Sequence, residues 1–283
     1  MRVSPPRINT AVHGATRPPT GSPAADAYRQ AGFVLDPEIA LVLQGLDIEG
    51  AAAEASSGAK FRNQRVAAAM SAWSRSWLSR LQAVQALQWG NYVAAIPLVR
   101  ASCDFAAAQV SLGGTDSSEW QQWLDEDGIG PAHDLHATEF RLHAYRSAEA
   151  LARYPTLGGV YRQSSDLALP HFGATLLTVG SESTPGRVLV SFGDRDFHLG
   201  LAEIILGWLL ALGEFHLNNL GVEDSPLAAP DPGHRERFSA SAATALGSPT
   251  RCRIEEVDTP GGSRWLVTGW RRRPGDAPHR ILL

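Results

Sequence analysis

Lysine is almost missing from this 283-residue chain: of 25 basic residues only Lys60 is lysine, and the others are arginine. Alanine, glycine and proline are abundant beside it, as in a high-GC bacterial coding sequence. The arginine count therefore carries no message about phosphate binding, well suited as a guanidinium is to that task. Cysteine is scarce too. Cys103 and Cys252 stand far apart, which supplies neither a disulfide framework nor the ligand spacing of a zinc site. A reducing, cytoplasmic compartment is expected. No strongly apolar run approaches the roughly 20 residues of a bilayer span. The longest, Ile204 to Gly213, is bracketed by Glu203 and Glu214 and reads as a buried helix. Residues 1–25 carry Pro5, Pro6, Pro18, Pro19 and Pro23 where a signal peptide would need an apolar segment. No nucleophile elbow, phosphate-binding loop or dinucleotide fingerprint occurs. A net charge of −4 gives no footprint for nucleic acid or an anionic membrane.

Hydrophobic residues make up 44% of the chain and charged residues 19%, enough apolar material for a core. Residues 1–25 read as a disordered, proline-rich tail. Residues 26–220 read as a helical bundle with a β-hairpin inserted at about 174–192. Residues 221–283 read as a proline-rich linker and a small β segment that packs on the bundle. The fold class is thus α+β, a predominantly α-helical bundle with a hairpin and a small C-terminal antiparallel sheet.

Asp36, Pro37 and Glu38 open a helix that runs towards Ala55. The clearest helix spans about 59–89. Its Val66, Met70, Trp73, Trp77, Leu81, Val84 and Leu87 recur at spacings of three and four, with Arg75 and Arg80 on the polar remainder. The two tryptophans belong to packing rather than to a stacking platform. A short turn at Gly90-Asn91 leads to an antiparallel helix over 92–111. Further helices are expected at 116–126, 132–153, 157–168 and 196–219. The last is apolar nearly all round, and it can bury within its own bundle or against a second subunit in a homo-oligomer. ATLLTV and RVLVSF, flanking a Gly/Pro turn, make the hairpin. Residues 251–257, 264–270 and 279–283 supply the strands of the C-terminal sheet.

Two constellations bear on chemistry. Arg100 and Asp104, four apart, share one face of the otherwise apolar helix 92–111. On a structural reading they form a partly buried ion pair tying helices together, and Arg100→Ala then costs a few kcal/mol. On a functional reading Arg100 binds an anion that Asp104 orients. The second constellation, His136, Glu139 and His143, lies on one helical face. The two histidines are seven residues apart, or about 10 Å along the axis, too far for one metal without long convergence. No metal and no cofactor is therefore expected. Arg271-Arg272-Arg273 reads as a solvated loop, and the spacing from Arg272 or Arg273 to His279 lies off any helix, which weakens a nuclease reading.

The run Ala95-Ile-Pro-Leu98-Val-Arg100-Ala-Ser-Cys-Asp104, after the turn Gly90-Asn91-Tyr92, resembles a bacterial helical-bundle family of unknown activity. That family carries A-x-x-L-x-R-x-x-x-E on a helix. Tyr161 to Asp166, followed by Pro170-His171, is similar to its later Y-x-x-x-S-[DE] segment leading to a histidine. This chain has Asp104 where the family has glutamate. The resemblance implies a bundle in which Arg100, Asp104 and His171 approach one another. Two functions follow. One is a bacterial, cytoplasmic binding or interaction protein with a structural Arg–Asp pair. The other is an enzyme acting on an anionic small molecule or nucleic acid, with Arg100 holding charge and His171 as acid or base, in an open polar cavity.

Overall fold

The computed structural model describes residues 8–56, 64–113, 145, 147–180, 183, 186–222, 225 and 227–283. Among them lie nine helices. They are α1 (Pro23–Val34), α2 (Asp36–Ala55), α3 (Gln64–Gln88), α4 (Tyr92–Gly113), α5 (Ala148–Arg153), α6 (Pro155–Ala168), α7 (Phe172–Val179), α8 (Leu199–Asn219) and α9 (Pro232–Leu246). Three strands follow, β1 (Arg253–Thr259), β2 (Gly262–Trp270) and β3 (His279–Leu282). The chain is therefore α+β and mainly helical, as the periodicity predicts. His136, Glu139 and His143 lie outside the described residues, as does the helix expected at 116–126.

The turn at Gly90 folds α4 back on α3, and the two helices pack along their lengths. Gly90 has φ +67°, and a Cβ there would stand 2.3 Å from the Arg195 carbonyl oxygen, so only glycine fits. Helix α8 forms the axis of the bundle. Leu201, Ile205, Leu206, Leu209, Leu210 and Leu212 are fully or almost fully enclosed, between α2, α4, α6 and α9. By length and composition α4 and α8 could each cross a bilayer, and 83% of the apolar window of α8 is buried inside the bundle.

The sheet is antiparallel with order β1-β2-β3. It docks on the start of α8, where the Leu199 and Gly200 amides donate to the Arg272 and Arg271 carbonyls at 3.0 and 2.9 Å. The three strands match the C-terminal strand expectations. The hairpin at 174–192 does not form, because ATLLTV lies in α7. Thr175 and Thr178 hydroxyls donate to the carbonyls of His171 and Ala174, four residues back. That back-bonding accommodates these threonines in a helix. The stretch expected to be a tail also differs. From residue 8 it lies along the bundle, with the Ala15 amide on Gln88 Oε1 at 2.6 Å and Trp89 Nε1 on the Thr16 carbonyl at 2.8 Å. Helix α1 then begins at Pro23, inside the expected tail.

Candidate functional site

Arg100 projects from α4 towards α6. Its Nε donates to Ser165 Oγ and its Nη2 to the Tyr161 hydroxyl, both at 3.2 Å. The guanidinium carbon stands 5.3 Å from the Tyr161 ring centroid, within cation–π range. Tyr161 and Ser165 are four residues apart on α6, so one helical face presents both. Asp104 lies further off, 3.8 Å from Arg100 Nη1, and accepts from Ser147 Oγ at 3.2 Å. The hydrogen bond to Tyr161, opposed by desolvation and aided by Asp104, raises the arginine pKa.

The side chains of Arg100 and Asp104 are 42% and 34% exposed, partly buried as expected, but the pair is too open for the expected cost of a few kcal/mol on its loss. Arg100 projects past the apolar stripe of α4 to the polar face of α6, where water screens it. A pair this loose and wet contributes about 1 kcal/mol at most. His171 precedes α7 as an exposed residue. Its ring makes no hydrogen bond or ion pair with Arg100 or Asp104. The structure thus joins Arg100 to Tyr161 and Ser165 but supplies no histidine beside it. Arg100, Asp104 and His171 do not line the cavity that Trp73 and Trp77 wall between α2 and α3.

The buried charge lies elsewhere. Arg80 of α3 donates from Nη1 and Nη2 to Oε1 and Oε2 of Glu49 on α2, each at 2.6 Å. The two side chains are 1% and 0% exposed. Trp73 Nε1 also donates to Glu49 Oε2 at 2.9 Å. From Arg80 the network passes to Ser76, whose Oγ lies 2.8 Å from both Ser102 Oγ and His216 Nε2 and 3.1 Å from the Ser102 carbonyl. Burial, with Arg80 adding to it, drives the His216 pKa well below the ordinary histidine value, so the ring is neutral. His216 Nδ1 has no hydrogen-bond partner among the described residues. The assignment with fewest stranded donors puts the proton on Nε2, facing Ser76, while Ser76 donates to the Ser102 carbonyl. In that arrangement the histidine is no base towards the serine. The group fastens α2, α3, α4 and α8 together.

The remaining reactive groups are equally enclosed. Burial raises the Cys103 thiol pKa far above its ordinary value, with Asp104 adding to it. The Cys252 thiol is pushed up to about 12, again chiefly by burial. Both thiols are therefore protonated and inert. Asp194 Oδ2 and His198 Nε2 lie 3.4 Å apart beneath the start of α8, and the Tyr92 hydroxyl accepts the His198 amide at 3.0 Å. Burial lowers the His198 pKa against the opposing pull of Asp194. Arg271 and Arg272 are not solvated freely: they pair with Glu203 and Asp196, both at 3.0 Å. No group of three or more metal-ligating side chains occurs among the described residues.

Compared with protein-family profiles, curated proteins and solved structures, the chain has no significant match.

Proposed function

We propose that the chain is a non-catalytic, cytoplasmic binding protein of bacterial type that takes hold of an anionic group, a carboxylate or phosphate, through Arg100. The observation that carries this reading is the setting of that guanidinium. Neutral partners, Tyr161 and Ser165, hold it in place, while the Asp104 carboxylate stays 3.8 Å away. Its other N–H groups have no hydrogen-bond partner among the described residues. A guanidinium so fixed loses little side-chain entropy when it accepts a bidentate anion. Ser76, His216, Cys103 and Cys252 are enclosed, and the exposed His171 makes no hydrogen bond or ion pair with Arg100, which favours binding over catalysis at Arg100.

Two sequence features support the setting. The lone, distant cysteines suit a reducing compartment, and the composition suits a high-GC bacterium. We also place the chain with the bacterial helical-bundle family that its R-x-x-x-[DE] and Y-x-x-x-S segments resemble, since Arg100, Tyr161 and Ser165 come from those two segments.

The test is a thermal-shift series with inorganic phosphate, sulfate, citrate and a nucleoside monophosphate. A ligand at 100 times its dissociation constant stabilises by about 2.7 kcal/mol. At least one anion should raise the melting temperature of the parent and not that of Arg100→Ala. An equal shift in both proteins would overturn the reading.

A further inference from the structure

A cavity of about 260 Å³ lies between α2 and α3, well apart from Arg100 in the sequence and lined by other residues. The Trp73 and Trp77 rings, Met70, Ala53 and Ala67 form its walls, and the chain at Thr10 crosses one side. That crossing is fixed. A Cβ at Gly50 would stand 3.0 Å from Thr10 Cβ, so the glycine lets the strap lie against α2, and Thr10 Oγ1 donates to Glu54 Oε1 at 2.5 Å.

The polar groups at the floor are already occupied. Trp73 Nε1 is bound to Glu49 and Trp77 Nε1 to the Leu46 carbonyl, at 2.9 and 2.8 Å. The Glu49 charge is matched by both terminal nitrogens of Arg80. The indoles therefore offer carbon surface and no free donor, and the floor carries no net charge. Ser71, Ser74 and Asn9 add hydroxyl and amide groups, all on exposed residues at the rim.

We infer that this cavity is a second binding site, which takes an uncharged, flat aromatic molecule about the size of two fused rings. An apolar cavity of roughly 150 Å³ accommodates benzene, so the larger volume here suits a bicyclic ring. Indole edges and a methionine thioether make favourable contacts with such a ring. A charged ligand would lose its hydration and find no free counter-charge at the floor.

The probe is indole, titrated into the full chain by calorimetry, with indole-3-acetate and tryptamine as its anionic and cationic counterparts. Indole should bind one to one, at least tenfold more tightly than either charged analogue. Ala67→Phe, which fills the cavity from its exposed rim, should weaken indole at least tenfold with an unchanged circular dichroism spectrum, whereas Arg100→Ala should leave it unaltered. If Ala67→Phe fails to fold, Ala53→Leu fills the same space from α2. No heat with indole up to its solubility would overturn the inference. So would unchanged affinity in the folded filled variant, or tighter binding of a charged analogue. Because indole makes no use of Arg100, failure here leaves the anion-binding reading standing, and the reverse.

Discussion

Arg80→Met removes one half of a buried ion pair and leaves the other. In the parent the Glu49 carboxylate accepts two guanidinium hydrogens at 2.6 Å and one indole hydrogen, with no exposed surface. In the variant only the Trp73 N–H remains. An uncompensated buried charge of this kind costs about 3–5 kcal/mol, a large share of the roughly 5–15 kcal/mol that holds a folded domain. Glu49→Gln/Arg80→Met removes both charges and keeps an amide oxygen for Trp73. That double variant should recover about 2 kcal/mol or more over Arg80→Met, because no uncompensated buried charge remains. Urea unfolding at pH 7, followed by tryptophan fluorescence and circular dichroism, reads the three proteins together. A loss below about 1 kcal/mol in Arg80→Met would refute the reasoning, as would a double variant less stable than the single one.

Acidification tests the buried histidine. The His216 pKa is held well below its ordinary value by burial and Arg80, so the unfolded chain gains a proton near pH 6.5 while the folded one does not. The stability present above pH 6.5 is thus lost as pH falls towards the folded value, at up to about 1.4 kcal/mol per pH unit. The difference between the parent and His216→Gln should shrink between pH 7.5 and 5.5, and a constant difference would contradict the neutral assignment. Arg100→Ala should lose no more than about 1 kcal/mol in urea unfolding; a loss of 3 kcal/mol would restore the structural ion pair. Gly90→Ala, at φ +67° and 2.3 Å from the Arg195 carbonyl, should lower the melting temperature by an amount equivalent to about 2 kcal/mol or more, and an unaltered melting point would argue against the turn.

Long periodic segments were legible in the sequence because burial there follows a repeat. The stripe from Val66 to Leu87 and the apolar run of α8 became helices, and the two tryptophans became core, 2% and 7% exposed. The segment ATLLTV was ambiguous, because a short uncharged run with two threonines suits a strand or a buried helix equally. Its helical state depends on the contacts of Ala174 and Leu177, which are buried.

The polar network was missed for a different reason. By residue type Arg80 belongs to the polar face, yet it stands three residues after Trp77 and four before Val84, inside the apolar stripe. Glu49 likewise stands three after Leu46 and three before Ala52, both buried. Opposite charges embedded in the stripes of two helices are the mark of a buried pair, and reading either helix alone conceals it. Arg100 stands out in the sequence as a charge on an apolar helix, but its neighbours are not legible from α4. They lie on α6, some 60 positions further on, so local spacing could not say that Tyr161 and Ser165 would replace Asp104 as its closest partners.

On the proposed function Arg100 is a held guanidinium open to an anion, whereas Arg80 belongs to the frame. The direct measurement is an NMR titration of protein carrying ¹⁵N-labelled arginine with inorganic phosphate, the Arg100 Nε–H signal being identified by its loss in Arg100→Ala. The account expects a saturable shift of that signal with the Arg80 Nε–H unmoved. An Arg100 signal that stays in place through the titration, or drifts without saturation together with the other arginines, would contradict it.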